Sequence, residues 1–291
     1  MNIKSYIMAA RPKTLPAAIV PVWLGCVLAY YLTGVFDAWL AFYTVMGAVW
    51  IQIGTNFFND AIDSDKGADT EKRLGPVRAT ASGLLSRNVV YGSAVVCLLI
   101  AAIFGWLLFE ARGWTMVAIG IPSLYLCYGY TGGPWPLAYR GLGELFVVLF
   151  FGLLAVMGTV FVQTGQWMWE AGLLGLQAGL LSAVLISINN LRDREEDTGN
   201  DKRTMAVKFG ESFAKKFILL EIFLPALLGI VWIWRGDWQL AIWVLPYLLL
   251  GVLISRGVMS NVPGKIYNKY LALGGLQLIV FGVLFHLGAS C

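Results

Sequence analysis

The stretch from Ala171 to Asp197 decides the fold: AGLLGLQAGLLSAVLISI is followed directly by NNLRDREED. The first part, residues 171–188, carries no charged residue and is long enough to cross a bilayer core as a helix. If the helix continues, Asn189, Asp193 and Asp197 line one face, because residues four apart are neighbours on a helix. The stretch therefore predicts a membrane-spanning helix whose polar end carries a row of oxygen ligands.

The whole chain resembles this stretch in composition. Of its 291 residues, 58% are hydrophobic and 13% are charged, whereas soluble domains contain roughly 25% charged residues. The apolar runs lack the alternation of outer-membrane barrels, and otherwise only helices satisfy their backbone groups inside lipid. We predict an all-α integral membrane protein, with nine transmembrane helices in one bundle around a cytoplasm-facing active site and a single domain over residues 1–291. The nine runs are 15–32, 39–58, 89–109, 114–130, 145–163, 171–188, 217–234, 240–255 and 270–286.

The basic residues predict the orientation of this bundle. All 21 lysines and arginines except Arg112 and Arg235 fall before the first run or in loops that face the same side. Basic residues are retained preferentially on the cytoplasmic side of a membrane. We therefore predict a multi-pass protein of the cell (inner) membrane with its amino terminus in the cytoplasm. The net charge of +4 follows from this topology and does not indicate nucleic acid as a partner.

A second acidic cluster follows the second apolar run. It lies in a polar loop of about residues 59–88, and its Asn59 and Asp63 repeat the four-residue spacing of the first cluster, which opens the polar loop 189–216. Mg²⁺ prefers oxygen ligands and is commonly held by one or two carboxylates together with substrate phosphates. The two clusters together predict a Mg²⁺-bridged diphosphate site at the cytoplasmic mouth of the bundle. The predicted metal ligands are Asn59, Asp60, Asp63, Asp69, Asn189, Asp193 and Asp197.

Basic side chains close to these acids are suited to bond phosphate oxygens directly. Each one is also explained by the cytoplasmic position of its loop, so both interpretations stay open for every individual residue. The predicted diphosphate-binding residues are Arg73, Arg78, Arg140, Lys202 and Arg203.

These residues resemble a known pattern. The chain is similar over essentially its whole length to the UbiA superfamily of membrane aromatic prenyltransferases, whose Asp-rich motifs follow the second and sixth of nine helices. Three stretches resemble its 1,4-dihydroxy-2-naphthoate prenyltransferase branch: RPKTLP at 11–16, the acidic cluster continuing through 59–78, and YTGGPWPLAYRGLGE at 130–144. Gly67 stands where most of the superfamily has an Asp, and Asp69 follows two residues later, which is typical of this branch.

The resemblance implies a reaction. A polyprenyl diphosphate loses diphosphate with the help of Mg²⁺, and the allylic cation alkylates 1,4-dihydroxy-2-naphthoate with loss of its carboxylate, giving demethylmenaquinone for menaquinone biosynthesis. Asp63, Asp193 and Tyr139 are then the catalytic residues. Tyrosine faces favour a cation, so several tyrosines are candidates to shield the allyl group, although ordinary packing also explains each of them. They are Tyr125, Tyr128, Tyr130 and Tyr139.

Three alternatives stay open at this point. Within the same class, the acceptor could be 4-hydroxybenzoate or homogentisate, or the donor could be a phytyl diphosphate. A cation-coupled transporter also has many spans and acids, but it usually places its ionisable sites near the bilayer midplane. A structural protein with acidic docking loops would tolerate Asp63→Ala and Asp193→Ala, whereas we expect both to abolish Mg²⁺-dependent turnover with little effect on membrane insertion.

Overall fold

The computed structural model describes residues 3–67, 74–76 and 78–291, and all regular structure within them is helical. The predicted all-α class is therefore confirmed. A short amino-terminal helix, Ile3–Ala10, precedes a series of longer apolar helices in the described residues. We label these α1 (Pro16–Thr33), α2 (Ala38–Asp65), α3 (Arg87–Arg112), α4 (Trp114–Gly129), α5 (Gly143–Thr164), α6 (Trp169–Arg192), α7 (Met205–Arg235), α8 (Trp238–Ser260) and α9 (Tyr267–Ala289).

The lengths of these helices support a multi-pass membrane protein. Within the described part of the chain, 8 helices are long and apolar enough to cross a membrane. The remaining one, α4, is apolar but has only 16 residues, and a span needs about 20 residues, with a range of ~17–25. The count of nine spans and the cytoplasmic amino terminus therefore stay predictions.

Polar caps fix the start of α2, which carries Asn59 and Asp63 near its other end, and of α7, which follows Lys202 and Arg203. The Asp37 carboxylate accepts hydrogen bonds from the backbone N–H groups of Trp39 (2.8 Å) and Leu40 (3.0 Å) at the start of α2. The Thr204 hydroxyl accepts from the N–H of Val207 at the start of α7. Both caps satisfy N–H groups that have no partner within their own helix.

The structure corrects one detail of the first acidic cluster. Helix α6 ends at Arg192, and Asp193 leaves the helical region with φ −93° and ψ 7°. Asp197 belongs to a separate short helix, Arg194–Gly199. The prediction of one continuous helix through Asp197 is therefore wrong, although the backbone N–H of Asp197 still bonds the Asp193 carbonyl at 2.8 Å.

Helices α5 and α6 approach each other unusually closely. A Cβ placed on Gly152 would lie 2.4 Å from the carbonyl oxygen of Gly175 and 2.5 Å from the Cα of Gly179. The contact falls within a π-helical turn of α5, Val148–Leu154. Small residues permit such contact between membrane helices, and here they fix α5 against α6, the most buried of the long helices.

Candidate active site

Asp63, near the carboxyl-terminal end of α2, lies at the centre of the second acidic cluster. The guanidinium of Arg78 donates to its Oδ2 atom at 2.9 Å, and the Tyr139 hydroxyl donates to its Oδ1 atom at 2.9 Å. Asp63 and Arg78 are both buried. Three segments that are distant in sequence therefore meet at one carboxylate.

Asp60 holds the backbone of the loop that follows α2. Its two carboxylate oxygens accept hydrogen bonds from the N–H groups of Ala79 (3.0 Å) and Thr80 (2.8 Å). These bonds place Arg78, the preceding residue, beside Asp63. Asp60 is thus engaged by backbone donors, whereas its prediction as a metal ligand stays untested.

Asn59 and Lys66 connect α2 with the segment after α4. The hydroxyl of Thr131 donates to Asn59 Oδ1, and Lys66 Nζ donates to the Thr131 carbonyl at 2.8 Å. The same ammonium lies 3.7 Å from the ring centroid of Tyr139. Burial lowers the pKa of Lys66, and the nearby negative charge of Asp63 opposes this effect.

The first cluster is organised around the buried side chain of Arg192. Its Nε and Nη2 atoms donate to the two oxygens of Asp193 at 2.7 and 2.6 Å, and Nη2 also donates to Asn189 Oδ1 at 2.8 Å. Nη1 donates to Asn268 Oδ1 at 2.6 Å, and Asn268 Nδ2 donates to the carbonyl of Leu74 at 3.0 Å. One guanidinium therefore links two predicted metal ligands to α9 and to the loop after α2.

Asp197 and Lys202 form the other half of the first cluster. Lys202 Nζ lies 3.3 Å from Asp197 Oδ1, while Asp197 Oδ2 is buried without a hydrogen-bond partner among the described residues. Burial raises the pKa of Asp197 to about 6, partly offset by Lys202, and Asp193 and Asp63 raise it further. Burial lowers the pKa of Lys202. The negative charges of Asp63, Asp197 and Asp193 outweigh this effect, so the pKa of the ammonium is raised.

The two clusters meet at Tyr139. Lys202 Nζ lies 5.8 Å from the ring centroid that Lys66 also faces, and the Tyr139 hydroxyl is bonded to Asp63. The backbone joins the same regions, because Arg203 N–H donates to the Tyr139 carbonyl at 3.2 Å. The acid-bearing ends of α2 and α6 thus face one common site.

The remaining predicted phosphate ligands lie elsewhere. Arg140 stacks over the Trp135 ring at 4.0 Å, and exposed Arg203 lies 3.6 Å from Asp201. The structure does not bring these two guanidinium groups to Asp63. Asp69 and Arg73 lie outside the described residues.

Four polar residues of this site are not among the predicted ligands or catalytic residues: Lys66, Thr131, Asn268 and Glu144. Lys66 follows Asp63 by three residues, so helical spacing was a usable signal for it. Asn268 is 76 residues from Arg192, and no local pattern indicates that contact. Glu144 accepts a 2.8 Å bond from Asn190 Nδ2, beside Asn189.

The residues present fit a magnesium ion by the chemistry of their donors. In residues 3–67, 74–76 and 78–291, no group of three or more His, Cys, Asp or Glu side chains is placed to hold a metal by itself. The site does offer amide and carboxylate oxygens, including the buried Asp197 Oδ2 atom without a partner. Mg²⁺ typically takes one or two carboxylates and completes its shell with water and substrate phosphates, so such a donor set suits it.

An apolar cavity of about 230 Å³ lies within the bundle. It is lined by residues of α1 to α5, among them Thr55 of α2, Gly120 of α4 and Phe151 of α5. Tyr130 and Leu137, which flank the segment leading to Tyr139, line it as well. A hydrocarbon-like chamber therefore lies beside the segment that leads to Tyr139.

Comparison with known proteins gives matches over nearly the full chain. A model described as the UbiA prenyltransferase family matches residues 18–273. The 1,4-dihydroxy-2-naphthoate octaprenyltransferase of Mycobacterium leprae (strain TN) is 32% identical over 282 residues, covering 97% of this chain and 95% of that protein. The protein of the same description from Haemophilus influenzae is 30% identical over 296 residues, covering 99% and 96%. A 2-carboxy-1,4-naphthoquinone phytyltransferase of Synechocystis sp. is 28% identical over 278 residues, covering 93% and 88%.

Solved structures share the fold. The apo structure of a UbiA homolog from Aeropyrum pernix K1 superposes with a TM-score of 0.69 at 17% identity, covering 99% of this chain and 98% of that one. A UbiA homolog from Archaeoglobus fulgidus, bound to DMAPP and Mg²⁺, gives a TM-score of 0.60 at 13% identity, covering 97% and 99%. At sequence identities of 17% and 13%, these two structures show a common fold and no more.

Proposed function

The chain belongs to the UbiA prenyltransferase family, and on that premise we propose that it transfers a polyprenyl group from polyprenyl diphosphate to 1,4-dihydroxy-2-naphthoate. The ring loses its carboxylate, and the immediate product is demethylmenaquinol, the reduced form of demethylmenaquinone in menaquinone biosynthesis. One observation carries the proposal: the two acidic helix ends meet at Tyr139, and the segment that leads to Tyr139 also lines the apolar cavity through Tyr130 and Leu137. The relatives described as octaprenyltransferases support the same donor and acceptor.

The oxygen donors of both clusters would hold the metal. We assign this role to Asp63 and Asp193 first, with Asn59, Asn189 and Asp197 beside them, and Asp69 stays a further candidate outside the described residues. Bound Mg²⁺ stabilises negative charge as it develops on the leaving diphosphate. The Archaeoglobus homolog bound to DMAPP and Mg²⁺ supports metal dependence in the family.

Three cations suit the diphosphate itself. Arg78 and Lys202 are largely buried next to Asp63 and Asp197, and Lys66 lies over the same tyrosine ring as Lys202. Their positive charges face the common site and can donate hydrogen bonds to phosphate oxygens. We propose these three as diphosphate ligands in preference to the exposed side chains of Arg140 and Arg203.

Tyr139 is proposed to orient Asp63 and to present its ring at the point where charge separates. We expect Tyr139→Phe to lower kcat by about 10- to 100-fold, since a hydrogen bond to a charged group contributes roughly 1.5–3 kcal/mol. Steady-state kinetics of the purified protein would measure this loss. Tyr125→Phe, at an exposed position of α4, is the matched control and should retain wild-type rates. Equal rates for the two variants would contradict the role of Tyr139.

The apolar cavity is proposed to bind the prenyl tail. Gly120 lines it, and a Cβ at this position would meet no atom within 4 Å. Gly120 is nine residues before the carboxyl-terminal end of α4, about 14 Å along the helix axis. A larger side chain there should therefore obstruct a long tail and leave room for a short one.

We expect Gly120→Leu to lower kcat/KM for an octaprenyl donor by at least about 10-fold while leaving a geranyl donor nearly unaffected. Gly92→Leu in α3 is the control, because that glycine also has no atom within 4 Å of its Cβ position and does not line the cavity. Competition between the two donors, read by mass spectrometry, gives the ratio directly. If the ratio of octaprenyl to geranyl transfer stays unchanged, the prenyl tail does not bind in this cavity.

Product identification tests the function itself. Membranes containing the protein would be given Mg²⁺, one polyprenyl diphosphate and a panel of acceptors, and the products would be identified by mass spectrometry. Prenylation of dihydroxynaphthoate alone supports the proposal. Preferred prenylation of 4-hydroxybenzoate or homogentisate would replace the acceptor, and preference for phytyl diphosphate would replace the donor, in line with the Synechocystis relative. Absence of any prenylated product would leave transport as the competing function.

A further inference from the structure

Glu144 is a buried carboxylate that neither cluster uses. It lies in the first turn of α5 and is 3% exposed. Its Oε1 atom accepts a 2.8 Å hydrogen bond from Asn190 Nδ2, whereas its Oε2 atom has no hydrogen-bond partner among the described residues. Burying an unsatisfied polar group destabilises a fold, and buried acids in membrane proteins are characteristically functional.

The position of Glu144 joins the diphosphate site to the apolar cavity. Asn190, which fixes Glu144, is adjacent to the predicted metal ligand Asn189. On the other side, a Cβ on Gly143 would lie 2.8 Å from the Tyr130 hydroxyl, so this hydroxyl rests against the start of α5. Tyr130 lines the cavity, and it lies within electrostatic reach of Glu144, Asp63 and Asp197.

The other carboxylates near the reacting centre either have their oxygens bonded or, in the case of Asp197, pair with Lys202 and are assigned to the metal through the remaining oxygen. Asp63 is bonded by Arg78 and Tyr139, and Asp60 accepts two backbone bonds. Asp193 accepts hydrogen bonds from the Nε and Nη2 atoms of Arg192. Glu144 combines proximity to the site with an oxygen that is left for another hydrogen-bond donor.

We propose that Glu144 is the general base that accepts the proton of the acceptor's ring hydroxyl, a role that rests on the proposed function. As the carbon–oxygen bond of the prenyl diphosphate breaks, its electron pair stays with diphosphate. The ring carbon that bears the carboxylate forms the new carbon–carbon bond, the hydroxyl proton moves to Glu144, and the O–H electron pair becomes a carbonyl bond. The carbon–carboxylate bond then breaks to release CO₂, its electron pair restores the aromatic ring, and the oxygen takes the proton back from Glu144.

The first test compares Glu144→Gln with Glu221→Gln. The amide retains an oxygen for the Asn190 bond but cannot accept the proton. Glu221 in α7 is a matched control, because it too is buried, accepts one bond from Ser187 at 2.8 Å and has an oxygen without a partner. We expect E144Q to lower kcat by about 10²-fold or more, as general bases contribute ~10²–10⁴-fold, and E221Q to stay within about threefold of wild type.

A second readout separates base catalysis from a structural role. Acceptors with electron-withdrawing substituents have more acidic hydroxyls and need the base less, so the kcat deficit of E144Q should shrink along such a series. Mg²⁺-dependent binding of a non-reactive thio-analogue of the donor, measured by calorimetry in detergent, should be unchanged in E144Q. A deficit that stays constant across the acceptor series, or activity close to wild type, would overturn the proposal.

A third variant decides the case if E144Q fails to bind the donor analogue. Asn190→Ala keeps the carboxylate but removes the bond that orients it. We then expect a kcat loss of about 10-fold that shrinks along the same acceptor series, and a constant loss would contradict the base role. A wild-type protein that prenylates no aromatic acceptor would overturn both this assignment and the proposed function, whereas full activity of E144Q would overturn this assignment alone.

Discussion

Asp193→Asn removes Mg²⁺-dependent prenyl transfer, with an expected loss in kcat on the order of 10³-fold. The Asp193 carboxylate is one of the two assigned first to the metal, and its charge is needed to hold the cation that neutralises the leaving diphosphate. Asparagine preserves one oxygen acceptor for Arg192, whose side chain is 0% exposed and donates to Asp193 through two nitrogens. The variant therefore removes charge with the least change in packing.

Alanine at the same position tests something different. Removing both oxygens leaves the Arg192 guanidinium buried with only Asn189 and Asn268 as partners, and breaking a buried ion pair typically costs about 3–5 kcal/mol. We therefore expect Asp193→Ala to lose folded protein as well as activity, whereas the acidic pattern alone predicts an effect on activity only. Asparagine variants are the better test of metal binding.

The control for this experiment lies on the same helix as Asp63. Asp65 pairs with exposed Arg87 at 2.5 Å and accepts a 2.9 Å bond from Tyr91, on the outside of the site. Asp65→Asn should therefore retain activity and Mg²⁺ dependence, while Asp63→Asn should behave like Asp193→Asn. Kinetics across a magnesium titration, with folded protein quantified by size-exclusion chromatography, separates catalysis from stability. Wild-type turnover in Asp193→Asn would remove the metal assignment.

The helices and their polar ends could be predicted from the sequence, because an apolar run and the acids that follow it are both local features of the chain. An apolar run such as 171–188 has one low-energy arrangement in a bilayer, and the acids that follow it must emerge where the run ends. The four-residue spacing of Asn59 and Asp63 holds in the structure because α2 continues through Asp65. The basic loops predict both clusters on the same side of the membrane, and the prediction that the clusters meet depended on this.

The hydrogen-bond partners of these acids could not be predicted from the sequence, because they come from distant segments of the chain. Nothing near Arg192 in the chain indicates that Asn268 will accept its hydrogen bond, and nothing near Asp60 indicates that it will hold the backbone at Ala79 and Thr80. Helix α6 ends at Arg192, before the last acid of its row, so spacing alone overextended the helix. Tertiary contacts decide which of several similar acids is left for substrate.

The close contact between α5 and α6 leads to the second large effect, which concerns stability. Gly152→Val places a branched side chain where even a Cβ would lie 2.4 Å from the Gly175 carbonyl oxygen and 2.5 Å from the Gly179 Cα. Both atoms belong to the backbone of α6, so no side-chain rotation relieves the overlap and the helices must separate. Overpacking typically costs about 1–3 kcal/mol and occasionally more, and we expect about 3 kcal/mol or more here.

Separation of these helices should also disturb the site. Helix α5 follows the segment that carries Tyr139 and begins with the turn that carries Glu144, while α6 carries Asn189 and ends at Arg192. Gly92→Val is the control, since it adds the same side chain to a helix at a position with no atom within 4 Å of the new Cβ. Size-exclusion chromatography after heating should show a much lower midpoint for Gly152→Val than for Gly92→Val. Equal midpoints would mean that α5 and α6 can move apart without loss of the fold, and the glycine contact would then not fix the spacing of the two halves of the site.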